Sequence, residues 1–171
     1  VHFIACNKIY LKNVDMIIKN VSNTIESTSI VFDGNAAASL VLTESDKDLG
    51  CLLIDMGAST TTITLFSERN QKLSFGISEG GDYITKCIAS SFRIDMREAE
   101  YIKIKYGQAN PRRLENSAHA DDDVMAELRE RDPSLPVIRL EDLARLISQA
   151  VNEMFTSILR ELENKIDNRD K

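Results

Sequence analysis

The chain has 171 residues, a formal net charge of −6 and a hydrophobic content of 43%, which suits one medium domain or two small lobes. It contains no stretch of about 20 uncharged apolar residues and no signal sequence before Val1, so we expect a protein that is neither secreted nor integral to a membrane. The acidic balance, without a basic stripe, predicts no nucleic-acid partner.

The three cysteines, Cys6, Cys51 and Cys87, each lie inside an apolar segment, and none belongs to a Cys-x-x-Cys pair. Buried reduced thiols are therefore favoured over disulfides and metal ligands. His2 and His119 are the only histidines, which argues against a Ser-His-Asp triad and a histidine-rich metal centre. We therefore expect neither hydrolase chemistry of that kind nor zinc or redox chemistry.

The first 25 residues predict a strand followed by a helix. Residues 1–6 are mostly apolar, the apolar residues of 13–21 recur at helical spacing, and Ser22-Asn23-Thr24 closes the segment. The opening strand has no earlier partner and no initiator Met precedes it. We therefore expect a fragment that begins within a fold.

Residues 51–66 place two apolar strands on either side of a tight polar turn. Gly57 can adopt a positive φ and lets backbone N–H groups approach an anion, and Ser59 and Thr60 add donors. Asp55 can hold a hydrated Mg²⁺ against phosphate oxygens. The same residue types build ordinary hairpin turns, so the pattern leaves both a plain turn and a phosphate-binding turn open.

A third strand and two helices follow this hairpin. Residues 72–77 predict the strand, and residues 79–82, Glu-Gly-Gly-Asp, open a helix. The apolar residues of that helix share one face: Ile84, Ile88, Ala89 and Phe92. Asp95 caps the second helix with Glu98 three residues on, and Gly107 stands where a left-handed stop is expected.

The last third of the chain changes character twice. Residues 110–136 are polar and charged with three prolines, which predicts a mobile, solvated insertion rather than a docking surface. Apolar residues then recur at helical spacing from Leu143 to Ile166. This stripe predicts one long amphipathic helix that packs against a core.

Three motifs in this order resemble the family of the bacterial cell-division protein FtsA. They are Asp-x-Gly-x-x-Thr from Asp55, Gly-Gly-Asp-x-x-Thr from Gly80, and Ala-Glu-x-Ile-Lys-x-x-x-Gly from Ala99. Residues 32–39, Phe-Asp-Gly-Asn-Ala-Ala-Ala-Ser, also resemble the family segment that leads into the second phosphate motif. The similarity extends from residue 1 to about residue 109 and weakens after that.

The resemblance implies an α/β fold of the actin-like ATPase (ribonuclease H-like) class. Residues 26–171 would form the second nucleotide-binding lobe, incomplete at its C-terminus and carrying the polar insertion near 110–136. Residues 1–25 would be the C-terminal piece of the extra α+β subdomain, which is SHS2-like.

The implied cofactors are ATP and Mg²⁺. By resemblance, Asp55 holds Mg²⁺ through water, and Gly57, Ala58, Ser59 and Thr60 cradle a phosphate. Most family members carry three glycines after the aspartate, whereas Ala58 and Ser59 each add a Cβ here. These side chains narrow the space for a phosphate, and the serine returns a donor.

Two further pairs complete the implied nucleotide site. Gly80 and Gly81 would let the start of the helix approach the nucleotide. Glu100 and Lys103 would contact ribose or adenine, because residues three apart on a helix share one face.

By resemblance, the intact protein binds ATP, self-associates into actin-like filaments and tethers the FtsZ ring, with other divisome proteins, to the inner face of the cytoplasmic membrane. In the family, a C-terminal amphipathic helix, absent from this chain, makes the membrane contact. No histidine or carboxylate pair stands out as a base, so a nucleotide-gated scaffold with at most slow ATPase activity is expected.

Two alternatives remain open at this point. The variant Asp-x-Gly-Ala-Ser also resembles PilM, a scaffold of type IV pilus assembly. A sugar kinase or a DnaK-type chaperone shares the superfold, but neither a sugar-kinase catalytic aspartate nor a peptide-binding domain is visible. The strand and helix predicted over residues 1–21 favour FtsA.

Overall fold

The computed structural model describes residues 7–21, 29–115 and 117–167. The strand predicted over residues 1–6, the turn at 22–24, and the side chains of His2 and Cys6 lie outside the described residues. The chain divides into two compact units. The first comprises the described residues up to Leu53 together with Thr64–Leu73, and the second comprises Ile54–Ile63 together with the described residues from Ser74 onward.

The first unit contains three helices, α1 (Lys8–Val21), α2 (Asp33–Val41) and α3 (Glu44–Leu49). Helix α1 starts five residues before the predicted segment, and none of its residues is buried. Its apolar stripe is therefore exposed rather than packed in a core. Helix α3 begins at a capping box in which the side chains of Thr43 and Asp46 each accept the other residue's backbone N–H.

Three strands, β1 (Cys51–Met56), β2 (Thr61–Ser67) and β3 (Asn70–Ile77), form one sheet in the order β1-β2-β3. The short connections make consecutive strands antiparallel, as predicted, with bounds that differ from the prediction by one or two residues. Glu68 and Arg69, with φ of 52° and 63°, form the two-residue turn between β2 and β3. Two successive left-handed residues are typical of the type I′ turn, which matches the twist of antiparallel strands.

Helices α4 (Gly81–Phe92) and α5 (Met96–Tyr106) follow the sheet where they were predicted. Asp95 and Glu98 form the expected capping box at the start of α5. The left-handed stop predicted at Gly107 is wrong, because its φ is −63°. A Cβ at Gly107 would lie 2.2 Å from the carbonyl oxygen of Lys103, so close approach explains this glycine. A left-handed residue does end the preceding helix, since Arg93 adopts this conformation directly after α4.

Residues 110–136 contain a short 3₁₀ turn (Pro111–Arg113) and helix α6 (Ala126–Arg129). The expectation of a solvated loop is wrong for the middle of this segment, because Val124 and Met125 are buried in the core of the second unit. Asp123 makes this burial feasible, since its carboxylate accepts the backbone N–H groups of Met125 and Ile138 and pairs with Arg129.

Helix α7 (Leu140–Asp167) is the predicted long amphipathic helix. One face is buried in the second unit and carries Leu143, Ala144, Ile147, Ala150, Met154 and Ile158. The stripe continues beyond this face, because Leu159 and Ile166 remain exposed. No helix in the described ranges has both the length and the apolar composition needed to cross a bilayer.

Candidate functional site

The hairpin tip, residues 57–60, joins β1 to β2. Its turn is closed by the N–H of Gly57, which donates to the carbonyl oxygen of Thr60 at 2.9 Å. The positive φ predicted for Gly57 is wrong, since Gly50 is the glycine with that conformation among the described residues. The backbone N–H groups of Ala58 and Ser59 find no acceptor within the described part of the chain, and both residues are exposed.

The hairpin tip is bound to the first turn of α4. The N–H of Gly81 donates to the carbonyl oxygen of Gly57 at 2.9 Å, and the N–H of Asp82 donates to that of Ala58 at 2.8 Å. A Cβ at Gly80 would lie 2.5 Å from both of these carbonyl oxygens. The missing side chain of Gly80 therefore serves the contact between helix and hairpin, which is a different reason from the predicted approach of a nucleotide.

Two side-chain hydrogen bonds reinforce this junction. The hydroxyl of Ser59 donates to the carboxylate of Asp82 at 2.6 Å. The hydroxyl of Thr61, which is buried, donates to the carbonyl oxygen of Glu79 at 2.7 Å. The hydroxyl of Ser59 thus has a partner within the protein, and the sequence motif gave no signal for that pairing.

Asp55 lies one residue before the end of β1 and is exposed. Its carboxylate makes no hydrogen bond or ion pair with any residue that the structure describes. In the same ranges, no group of three or more His, Cys, Asp or Glu side chains could hold a metal ion. A lone carboxylate suits a hydrated Mg²⁺ whose other ligands are water and phosphate oxygens, but it cannot form a protein cage for the ion.

Thr85, Glu100 and Lys103 form a hydrogen-bonded cluster between α4 and α5. The hydroxyl of Thr85 donates to Glu100 Oε2 at 2.5 Å, and Lys103 Nζ lies 2.6 Å from the same oxygen. The structure therefore places Glu100 and Lys103 on one face of α5, as predicted. The pKa of Glu100 lies below its usual value, first because Lys103 donates to its carboxylate and second because Thr85 does.

The cluster also reaches the start of α4. Lys103 Nζ donates to the hydroxyl oxygen of Thr85 at 2.8 Å and to the carbonyl oxygen of Gly81 at 3.2 Å. Thr85 is only 2% exposed. Thr85 belongs to the Gly-Gly-Asp-x-x-Thr motif, and its burial at this junction depends on tertiary packing, which spacing along the chain does not predict.

A separate cleft of about 620 Å³ lies along α7 and is lined by Tyr83, Arg145, Glu153, Arg160 and neighbouring polar residues. None of the predicted site residues lines it. The hydroxyl of Tyr83 donates to Glu153 at 2.6 Å, and this bond is the main reason why the pKa of Tyr83 is raised and that of Glu153 is lowered. The cleft and the predicted site are therefore different features of the second unit.

The sheet, the hairpin tip and the helices that follow belong to the actin-like ATPase fold class. Solved structures of this class match the chain, among them MreB5 of Spiroplasma citri bound to AMPPNP, with a TM-score of 0.66, 18% identity, and coverage of 94% of this chain and 48% of that one. The same protein bound to ADP gives a TM-score of 0.64, again at 18% identity, with 94% and 49% coverage. At this identity the likeness establishes the fold alone.

The family model for cell division protein FtsA matches residues 52–164. The FtsA of Neisseria meningitidis serogroup B is 32% identical over 95% of this chain and 38% of its own length. The FtsA of Pseudomonas aeruginosa is 30% identical over 95% of this chain and 37% of its own length. The chain therefore belongs to the FtsA family, and it spans rather more than a third of the length of these curated relatives.

Proposed function

We propose that this chain supplies the phosphate-binding wall of an ATP-binding, actin-like scaffold, and that the full-length protein tethers the FtsZ ring to the cytoplasmic membrane in cell division. Membership of the FtsA family supports the cell-division role. The MreB5 structures, which are bound to AMPPNP and to ADP, support a nucleotide as the ligand class.

One observation carries the nucleotide proposal. The hairpin tip is held against α4 by two backbone hydrogen bonds and by Ser59. Ala58, Ser59 and Asp55 are exposed residues, and the N–H groups of Ala58 and Ser59 have no acceptor in the described part of the chain. Backbone N–H groups without an acceptor in an exposed turn suit an anion, and a neighbouring carboxylate suits the anion's counter-ion.

The proposed cofactors are ATP and Mg²⁺. Asp55 would hold the hydrated ion, which neutralises phosphate charge when bound, and Gly57, Ala58, Ser59 and Thr60 would cradle the phosphate. Gly80 and Gly81 keep the adjoining helix start in place, and Glu100 lies on the face of α5 that would meet the nucleoside. Among the residues proposed to hold the phosphate and its ion, Asp55 is the one carboxylate and none is a histidine, so we propose a scaffold with at most slow turnover.

The proposal extends to the organisation of the full-length protein. Residues 1–25 would end the extra subdomain and residues 26–171 would form most of the second lobe. Self-association into filaments, contacts with FtsZ and other divisome proteins, and a peripheral position on the inner membrane face at the division site belong to the same proposal.

The test is a pair of measurements on the full-length protein. Calorimetric titration with Mg·ATP should show saturable binding. Sedimentation with anionic lipid vesicles should then carry FtsZ into the pellet only when the protein is present. A protein that binds no nucleotide, or that binds Mg·ATP but leaves FtsZ in the supernatant, would contradict the corresponding half of the proposal.

A further inference from the structure

Two successive peptide units of the hairpin tip have the same arrangement. The carbonyl oxygen of Gly57 accepts from the N–H of Gly81 at 2.9 Å. The next carbonyl oxygen, that of Ala58, accepts from the N–H of Asp82 at 2.8 Å. In a trans peptide the N–H points away from the C=O of the same unit, and the described residues contain no cis peptide. The N–H groups of Ala58 and Ser59, which belong to these two units, therefore point away from the first turn of α4.

The side chain of Ser59 has its proton engaged within the protein. A serine hydroxyl has one donor, and this one donates to Asp82 Oδ2 at 2.6 Å. Asp82 lies in the first turn of α4, where the helix dipole favours an ionised carboxylate. The hydroxyl oxygen therefore presents only lone pairs to a ligand, and it repels a phosphate oxygen instead of binding one.

The bond from Ser59 is one of several that cross this junction. Two backbone hydrogen bonds cross it, and so does the bond from the buried hydroxyl of Thr61 to the carbonyl oxygen of Glu79. The side chain of Ser59 adds a second attachment to Asp82, whose own N–H holds the preceding carbonyl oxygen. The peptide unit that carries the Ser59 N–H is thus bonded to Asp82 at its carbonyl oxygen and again through the side chain that follows it.

We propose that Ser59 and Asp82 form a latch that fixes the direction of the anion-binding N–H groups, and that neither side chain touches the phosphate. Ser59 donates to the phosphate through its backbone N–H, and its side chain is a positioning group. The inference rests on the proposed nucleotide binding and departs from the expectation that the serine hydroxyl returns a donor to the phosphate. A glycine at this position, as in most of the family, has no side chain with which to form the latch.

A double-mutant cycle in the full-length protein separates a latch from a direct phosphate contact. Ser59→Ala and Asp82→Ala should each weaken Mg·ATP binding about tenfold in calorimetric titration. The double variant should bind no more weakly than the weaker single variant, because all three lack the same hydrogen bond. Asp82→Asn should keep most of the affinity, since its amide oxygen still accepts from Ser59. As a control, Ser90→Ala removes an exposed hydroxyl that donates to the carbonyl oxygen of Cys87 within α4 and should leave the affinity unchanged.

Contrary results in this cycle would overturn the latch. If the hydroxyl of Ser59 donated to the phosphate, Ser59→Ala would weaken Mg·ATP binding by the same factor with or without Asp82. An Asp82→Asn variant that binds as weakly as Asp82→Ala would show that the charge of Asp82 matters and its bond to Ser59 does not. Full affinity in both alanine variants would reject the latch and leave the proposed function standing. An unsubstituted protein that binds no Mg·ATP would reject the proposed function and this inference together.

Hydrogen exchange gives a second readout that needs no ligand. The amide proton of Gly81 is bonded to the hairpin tip, so local opening of the tip controls its exchange rate. Ser59→Ala should speed this exchange about tenfold, and Asp82→Asn should keep it slow. The amide of Gly107, which donates to the carbonyl oxygen of Lys103 away from the tip, should exchange at the same rate in every variant. Unchanged exchange at Gly81 in Ser59→Ala would overturn the latch whatever the affinities are.

Discussion

Ser59 donates a hydrogen bond of 2.6 Å to the carboxylate of Asp82, a residue 23 positions further along the chain. The bond runs beside the two backbone hydrogen bonds that join the hairpin tip to α4. Ser59 occupies one of the positions where a glycine is expected in most of the family. A serine at this position therefore adds a side-chain hydrogen bond between the hairpin tip and α4, besides reducing the space for a phosphate.

The role of Asp55 can be tested by Asp55→Ala in the full-length protein. Loss of the exposed carboxylate should weaken Mg·ATP binding by about 1.5 to 3 kcal/mol and metal-free ATP binding by less. Calorimetric titration with and without Mg²⁺ gives both affinities. Asp121→Ala, at an exposed aspartate that pairs with Arg139, is the matched control, and equal affinities for Asp55→Ala and the unsubstituted protein would refute the role.

Gly80 and Gly81 should respond differently to alanine. Gly80→Ala places a Cβ 2.5 Å from two carbonyl oxygens, so we expect a loss of about 1 to 3 kcal/mol in the free energy of unfolding. The nearest atom to a Cβ at Gly81 is Lys103 Nζ at 3.6 Å, an ordinary van der Waals contact, and alanine restricts the unfolded chain more than glycine does. Gly81→Ala should thus be neutral or stabilising in urea denaturation, and equal losses for both variants would contradict this packing.

Met125 tests whether the segment around α6 belongs to the core. It is fully buried, whereas Met96 is 45% exposed. Met125→Ala should lower the free energy of unfolding by about 2 to 5 kcal/mol, and Met96→Ala should change it by less than about 0.5 kcal/mol. Denaturation curves that shift equally for the two variants would instead support the solvated loop that the composition of residues 110–136 predicts.

The bond between Tyr83 and Glu153 should make the effect of Tyr83→Phe depend on pH. The pKa of Glu153 is lowered from its ordinary value of 4.5, mainly by Tyr83 and next by Gln149. A lowered carboxylate pKa contributes stability that is present above the unfolded-state value and is lost as the pH falls through the folded-state value. The loss in the free energy of unfolding caused by Tyr83→Phe should therefore be larger at about pH 7 than at about pH 3.5.

Tyr10 provides the control for that comparison. It is 67% exposed on α1, and its hydroxyl has no hydrogen-bond partner in the described ranges. Tyr10→Phe should leave the free energy of unfolding unchanged at both pH values. A Tyr83→Phe effect of the same size at both pH values would mean that the ionised form of Glu153 is not the one stabilised.

The order of strands and helices was predictable because its signals are local. Apolar runs joined by polar turns predict β1 to β3, and the spacing of Asp95 and Glu98 predicts the start of α5. The turn between β2 and β3 was harder to place, since Glu68 and Arg69 adopt left-handed conformations without glycine or asparagine. Charged residues in such a turn give no clear sequence signal.

Features that depend on tertiary contact could not be predicted from the sequence. Polar composition suggested a loop near residue 125, but the carboxylate of Asp123 satisfies the backbone there and permits burial. Helical spacing placed Glu100 and Lys103 on one face, but it could not show that Thr85 and Gly81, on another helix, complete the hydrogen bonds of Lys103.

The close contact at Gly80 has a mechanical consequence. A Cβ at Gly80 would lie 2.5 Å from two carbonyl oxygens of the hairpin tip, and two backbone hydrogen bonds cross the junction. The hairpin tip and the first turn of α4 are therefore closely packed and hydrogen-bonded to each other. A push on the tip therefore moves the start of α4, and with it the Gly81 carbonyl that holds Lys103. The hairpin tip and the cluster of Thr85, Glu100 and Lys103 should therefore move together.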